Sequence, residues 1–245
     1  MRGPERQRSG ATTASTASEA LERKVRLFGA PLAAARQRYW SHPRAVELFP
    51  SVLFRIYCEA RATVHLLRTA AACAARRPDG DPLAPRLRAY FEAHVEEERG
   101  HDVWALEALE SLGHARDRVV DRIPPATVAA MVGMQYYWMY HHHPVALLGY
   151  IKIVEDAPAT VDELERIVAA TGLPRVALRL HFGHAAVEPR HNRELDELLD
   201  ALPLTPDDEA LIGVSAARTL HYVARGVDEI LALAQERAGG AGALY

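Results

Sequence analysis

The chain has 245 residues, of which 49% are hydrophobic and 25% charged, so it can bury the core of one large domain. Lys and Arg number 29 against 32 Asp and Glu, and the net charge of −3 excludes the extended basic surface that nucleic-acid binding needs. Cys58 and Cys73 have neither metal-site spacing nor the density of a disulfide framework, which predicts a reducing, cytoplasmic location.

The N-terminal residues 1–18 are rich in Arg, Ser, Thr and Ala and lack the apolar core of a secretory signal, which predicts a disordered tail. From residue 19 to 240, apolar residues recur at helical spacing, and no stretch alternates as a strand does. The sequence therefore predicts a single all-α domain. Prolines and glycines divide it into helical segments near 19–40, 51–76, 85–113, 125–140, 144–156, 159–171, 174–202 and 206–237.

Two of these segments have clear boundary signals. Thr205 can cap the last helix, with Pro206 at its first position. Gly113 can end the segment near 85–113. The most apolar stretch, residues 126–140, is interrupted by Gln135 and is shorter than the roughly 20 residues that cross a bilayer. It predicts a buried helix and no membrane partner.

One motif, H-x-x-x-E-x-x-H, occurs twice, as HVEEERGH at residues 94–101 and as HAAVEPRH at residues 184–191. On a helix its three side chains lie within roughly 60° of one another. Seven residues rise about 10 Å, so the histidines of one motif could flank a pair of ions about 4 Å apart. The side chains in question are His94, Glu98, His101, His184, Glu188 and His191.

Each motif also contains a Glu-x-x-His pair, as in ferritin-like diiron bundles, where glutamates from two other helices complete the site. Glu155 ends an apolar helix, and Glu59 lies on an inward stripe where an unpaired charge is costly. Both are predicted to be buried acids that need a cation. Imidazole and carboxylate ligands without thiolate favour iron, or manganese, over structural zinc.

The remaining histidines are predicted to have structural roles. The triplet in YHHHP, residues 140–144, marks a helix boundary because adjacent histidines point in different directions and Pro144 can begin a helix. His65, His114 and His221 are interpreted in the same way. His181 shares a helix face with His184, so it is predicted to support that ligand from outside the metal.

Three segments, HVEEERGHDVW, HHHPVALLGYIKIVE and HFGHAAVEPRHNREL, resemble in this order the haem-oxygenase-like diiron oxidases and oxygenases, also called iron-containing redox enzymes. The resemblance extends over most of residues 45–235. It implies a compact haem-oxygenase-like bundle of about seven helices that holds two iron ions. The ligands that it implies are Glu98, His101, Glu155, His184, Glu188 and His191.

The chain departs from that family pattern at several positions. Some relatives place the first carboxylate earlier, where this chain has His94, and Glu188 stands where aspartate is more usual. Pro189 lies inside the second motif and should kink its helix. Glu59 is the candidate for the additional ligand found in some N-oxygenating relatives.

The resemblance implies an O2-dependent non-haem diiron enzyme of specialised metabolism, such as natural product biosynthesis. Its substrate would be small and amino-acid-like or fatty-acid-like, with N-oxygenation, oxidative C–C cleavage and desaturation all open. Lys152, one turn before Glu155, could hold a substrate carboxylate, or could be a surface lysine. The expected partners are the substrate, dioxygen, an external electron donor and a second copy of the chain.

Two other classes of protein remain alternatives. A ferritin-like iron-binding or ferroxidase protein would use Glu59 and both Glu-x-x-His pairs but leave His184 idle. A metal-free member of the wider fold, similar to thiaminase II or to quinone-cofactor synthases, would bind an organic ligand in the same cavity. A haem-degrading enzyme is disfavoured, because nothing singles out His42 or His65 as an axial ligand.

Overall fold

The computed structural model describes residues 15–155 and 159–238, apart from the side chains of residues 186–189, 191 and 235–238. Within these residues every regular element is helical. The α-helices are α1 Ala17–Phe28, α2 Ala30–Trp40, α3 Ala45–Ala75, α4 Ala84–Glu98, α5 His101–Ser111, α6 Arg116–Val120, α7 Ala126–His141, α8 Leu147–Val154, α9 Val161–Thr171, α10 Arg179–Ala201 and α11 Pro206–Ala238. The predicted all-α fold is therefore confirmed, with more helices than the expected seven or so, because two predicted segments are split and the short α6 lies outside all of them. The predicted tail, residues 1–18, falls largely outside the described residues, and α1 already includes its last two positions.

Helix starts follow from side chains that satisfy the first backbone N–H groups. Thr205 Oγ1 accepts from the Asp208 N–H at 3.2 Å, while the Asp208 carboxylate accepts from the Thr205 N–H at 2.9 Å. This reciprocal cap starts α11 at Pro206, as predicted. The predicted stop after α5 is also present, since Gly113 has φ of 85°.

Two segments predicted as continuous helices are interrupted. Residues 19–40 form α1 and α2 with Gly29 between them, and residues 85–113 form α4 and α5 with a break at Gly100. Conversely, α3 begins before the predicted position 51, with Pro50 inside it. Apolar periodicity continues across a short break when the two flanking helices bury the same side, so it did not mark these interruptions.

The core is organised around α3, which packs against α4, α5, α7 and α11. Its buried residues extend along almost the whole helix, from Ala45 to Ala74. Helix α8 is enclosed to a similar degree, since every residue from Leu147 to Ile153 is buried. Together these two helices, with α4, α5 and α10, bring polar side chains to the centre of the bundle.

Helix α8 crosses α11 at very short range. A Cβ atom at Gly149 would overlap the Ile212 carbonyl oxygen and would lie 2.8 Å from the Ala216 nitrogen. Only glycine permits this approach, so the crossing fixes the position of α8 and of Glu155, which follows it.

In the part of the chain that the structure describes, no helix combines the length and the apolar character needed to cross a membrane.

Candidate metal centre

Five side chains of metal-binding type lie together inside the bundle. Glu98, His101 and His184 form one group, in which the candidate ligand atoms all lie within 4.8 Å of one another. His94, Glu98 and Glu155 form a second group that meets the same limit. Glu98 belongs to both groups, so one carboxylate could contact two ions held side by side.

The backbone between Glu98 and His101 is not helical. Helix α4 ends at Glu98, Arg99 is extended, and Gly100 has φ of 93° before α5 begins at His101. The prediction that His94, Glu98 and His101 lie on one helical stripe is therefore wrong. The left-handed conformation at Gly100 redirects the chain and leaves His101 Nδ1 3.0 Å from Glu98 Oε2.

The second group connects α4 with the end of α8. His94 lies one turn before Glu98, its Nε2 contacts Glu155 Oε1, and its Nδ1 lies 3.1 Å from Glu97 Oε2. Glu155 directly follows α8, and its backbone N–H donates to the Ile151 carbonyl at 3.0 Å. His94 and Glu155 are each only 2% exposed, so this half of the site is closed to bulk water.

Helix α10 contributes His184, whose ring centroid lies 4.9 Å from that of His101. The predicted ligands Glu188 and His191 belong to the same helix, but their side chains lie outside the described residues. The helix assignment continues unbroken through Pro189. Four of the six predicted ligands therefore have described side chains, and all four are in the two groups.

In the absence of metal, the histidines and glutamates balance one another electrostatically. Burial alone would lower the pKa of His94, but the hydrogen bond and charge of Glu155 raise it to about 9. Burial likewise would raise the pKa of Glu98, yet the hydrogen bond from His101 and the charges of nearby histidines hold it below its usual value. Protonated His94 thus supplies positive charge where a bound cation would supply it.

One carboxylate oxygen indicates that these residues fit a metal. Glu98 Oε1 is buried and has no hydrogen-bond partner among the described residues, whereas Oε2 contacts His101. A buried carboxylate oxygen without a partner is costly unless a cation or donor completes it. The donors are imidazole nitrogens and carboxylate oxygens without thiolate, a set that suits iron or manganese.

Aromatic rings enclose the two groups. Tyr90 stacks on His94 with ring centroids 5.4 Å apart and an interplanar angle of 14°, and Trp104 lies against His101 at 4.8 Å. These two ring contacts restrain His94 and His101. The fully buried Tyr150 has its hydroxyl 2.8 Å from Thr63 Oγ1.

The comparison with known families decides the assignment of the chain. A family model described as iron-containing redox enzyme matches residues 56–223, which include both groups. This chain belongs to the iron-containing redox enzyme family. The match confirms the resemblance found in the sequence and makes the protein an oxidoreductase by family.

Solved structures similar to this family member share its fold. A domain with a haem oxygenase-like fold from Shewanella denitrificans OS217 has a TM-score of 0.69 at 21% identity, covering 90% of this chain and 97% of its own. A TenA homologue from Pseudomonas syringae pv. tomato DC3000 has a TM-score of 0.61 at 11% identity, covering 85% of this chain and 93% of its own. A CADD-like protein from Nostoc punctiforme PCC 73102 has a TM-score of 0.53 at 14% identity, covering 92% of this chain and 99% of its own. The search of curated protein sequences found no match.

Glu59 and Lys152, which the sequence suggested as an additional metal ligand and a substrate contact, both form ion pairs with other side chains of this iron-containing redox enzyme. Glu59 lies outside both groups, and its Oε1 is 2.7 Å from Arg55 Nη2, so a guanidinium balances the charge that the sequence pattern left unpaired. Lys152 is buried with its ammonium 3.1 Å from Asp196 and 3.8 Å from Glu22. Its ion pairs tie α8 to α10 and α1, and its contact with a substrate carboxylate stays a prediction.

The other histidines behave largely as structural residues. His143 from the triplet accepts a hydrogen bond from the Val145 N–H at 3.0 Å, while His65 and His221 are exposed. His181 has its ring against Phe49, with centroids 6.3 Å apart, and burial lowers its pKa to about 4. A hydrogen bond from His181 to a candidate ligand, as its predicted role requires, is not present in the described residues.

Sequence reasoning did not foresee the contact of His94 with Glu155 or that of Trp104 with His101. The repeated motif contains His94, but the ligand set that the resemblance implies omits it, and Gly100 was the signal that the helix breaks before His101. Trp104 gave no signal, because an aromatic residue one turn after a histidine is ordinary in a helical core.

Proposed function

We propose that this protein is a non-haem diiron enzyme that uses dioxygen to oxidise a small amino-acid-like or fatty-acid-like substrate. The observation that supports it most directly is the sharing of Glu98 between the two groups of candidate ligands. A carboxylate that belongs to both groups is suited to two ions rather than one. Bound iron would supply the activation of dioxygen.

Each described side chain would have a distinct task. Glu98 would bridge the ions, His94 and Glu155 would hold one, and His101 and His184 the other. Tyr90 and Trp104 restrict the rings of His94 and His101, which would keep their nitrogens oriented to hold the ions.

Tyr150 keeps its proton and directs it away from the candidate ligands. Thr63 Oγ1 donates to the Glu59 carbonyl at 3.0 Å, so the Tyr150 hydroxyl donates to Thr63. Burial raises the pKa of Tyr150, and the charges of Glu59, Glu98 and Glu155 raise it further. The tyrosine is therefore a buried neutral group whose proton is held by Thr63.

The position of His184 weighs against the ferritin-like alternative. That alternative leaves His184 idle, whereas here it lies with Glu98 and His101 in one group. Replacing His184 with alanine separates the two functions, because a ferritin-like site would retain its iron and the proposed site would bind one ion poorly.

The decisive experiment is anaerobic loading with ferrous iron, followed by mixing with oxygenated buffer in stopped flow. The protein would be tested alone and with panels of amino acids and fatty acids, and products would be identified by mass spectrometry. We expect two irons per chain and a substrate that accelerates oxygen consumption. A protein that binds no iron, or that consumes oxygen without oxidising any added compound, would contradict the proposal.

A further inference from the structure

Trp104 is the side chain that joins the two helices of one ligand group. It lies one turn after His101 on α5, and its ring centroid is 4.8 Å from the His101 ring at an interplanar angle of 37°. The benzene edge of the same indole faces Gly183 on α10. A Cβ atom at Gly183 would lie 2.8 Å from Cζ3 of Trp104 and 3.6 Å from Cη2.

Gly183 directly precedes His184, so the indole contacts the backbone that carries the second histidine of the group. A separation of 2.8 Å is shorter than real Cβ atoms adopt, so any side chain at this position must move the ring or the helix. The absence of a side chain at Gly183 is therefore what admits the indole.

The first turn of α10 also contacts Trp104. The Arg179 guanidinium lies over the indole, 5.1 Å from the ring centroid, and forms an ion pair with Glu107 of α5. The indole is half-buried and contacts the ring of His101, the backbone of Gly183 and the guanidinium of Arg179. Helices α5 and α10 are thus fastened to each other through Trp104 and its neighbours.

We propose that Trp104 is a positioning residue whose indole sets the separation of α5 and α10, so that His101 and His184 can bind the same ion. The inference rests on the proposed function, because it assumes that these histidines are ligands. The second group comes from α4 and the end of α8, whereas the contacts of Trp104 are with α5 and α10. Loss of the indole should therefore weaken one ion and spare the other.

The test uses Co²⁺ as a spectroscopic probe of the full-length protein, titrated without oxygen and followed by its visible absorption. In Trp104→Leu, we expect one of two ions to bind about 10–100-fold more weakly, the range found when groups that orient metal ligands are removed. The other ion should keep its wild-type affinity. Melting of the metal-free protein is measured in parallel.

A size-exchange pair tests the contact with Gly183 itself. Gly183→Ala places a methyl group against the indole and should weaken the same ion as Trp104→Leu does. Adding Trp104→Phe to Gly183→Ala removes the outer atoms of the ring and should restore much of that affinity. Gly133→Ala is the matched control, because Gly133 is also helical and a Cβ there meets nothing within 4 Å.

Fluorescence gives a second readout of ion binding that does not depend on catalytic activity. The chain has three tryptophans, so Trp40→Phe combined with Trp138→Phe leaves Trp104 as the sole emitter. Co²⁺ bound beside His101 should quench this emission during the binding step of one ion only. Keeping Trp40 and Trp138 while replacing Trp104 with Phe should remove most of that quenching.

The outcomes separate this inference from the proposed function. A wild-type protein that binds no Co²⁺ overturns both. If wild type binds two ions and Trp104→Leu binds both with unchanged affinity, the positioning role is wrong while the two-metal site stands. Equal weakening of both ions, or a double variant no better than Gly183→Ala, also overturns the role of the indole as a spacer between these histidines.

Discussion

Among single residues, Glu98 has the most demanding position in the molecule. It is 5% exposed, it ends α4 immediately before the backbone turns, and one of its oxygens has no partner in the described residues. His101 and the other nearby histidines stabilise its negative charge. The carboxylate is therefore kept ionised in a place where burial alone would favour its neutral form.

Replacing Glu98 with glutamine tests this position directly. Gln has almost the same shape but lacks the charge that attracts two cations, so we expect both ions to bind more weakly by more than the roughly 10–100-fold lost when an outer contact is removed. Metal content after anaerobic loading and desalting measures the effect.

Glu96→Gln is the control for this change, because Glu96 lies on the exposed side of α4 in a surface ion pair with Arg99. It should retain two ions. A Glu98→Gln protein that still holds both ions would show that the shared carboxylate is unnecessary.

At the level of helices, the α8–α11 crossing depends on Gly149. Gly149→Ala would force a methyl group into the Ile212 carbonyl, and we expect it to lower the free energy of unfolding by about 1–3 kcal/mol. Gly133→Ala on α7 adds the same methyl group in open space and should raise it by about 0.5–1 kcal/mol. Urea denaturation of the two variants measures this difference in sign, and destabilisation of both would contradict the packing explanation.

A polar corner at the start of α4 is expected to contribute to stability in a pH-dependent manner. The Asp81 carboxylate accepts from the Leu83 N–H at 2.9 Å, pairs with Arg77 at 2.7 Å, and accepts from His143 Nε2 at 3.2 Å. Burial opposes ionisation, but these partners outweigh it and lower the pKa of Asp81 to about 2.

The folded pKa of Asp81 lies below the unfolded one, so its contribution is fully present above about pH 4 and is lost as pH falls towards 2. The shift corresponds to about 2 kcal/mol at neutral pH. We expect Asp81→Asn to lose that stability at pH 7, and its deficit to shrink below pH 4. Asp79→Asn, at an exposed neighbouring residue, controls for the lost charge, and parallel pH curves for wild type and Asp81→Asn would contradict the assignment.

Sequence patterns predicted helix positions well because caps and breakers act locally. Thr205 and Pro206 start α11, and Gly113 follows α5, as the residues indicated. The breaks at Gly29 and Gly100 were missed, since glycine is tolerated inside helices and only the tertiary structure decides whether it ends them.

For the whole molecule, the chemistry of the site was more predictable than its geometry. The repeated motif and the apolar helix before Glu155 identified the five side chains that the fold brings together. The pairing of Glu59 with Arg55 and the place of His94 depend on contacts between turns and between helices, which spacing alone does not specify. The choice of diiron chemistry and substrate stays a prediction.

Metal loading should stabilise the entire fold, because the candidate ligands come from α4, α5, α10 and the end of α8. An ion that binds only the folded state adds about 2.7 kcal/mol per site when its free concentration is 100 times its dissociation constant. We expect anaerobic Fe²⁺ or Co²⁺ to raise the melting temperature of wild type and to have little effect on Glu98→Gln. Equal shifts in both proteins would indicate binding elsewhere.

The turn at Gly100 has a consequence for how such a site can diversify. Because Glu98 and His101 are separated by two non-helical residues, the gap between the candidate ion positions is governed by a few backbone torsions rather than by the fixed pitch of a helix. Related proteins could retune that gap, and with it the reactivity of the centre, by altering this short connection while every ligating side chain stays the same.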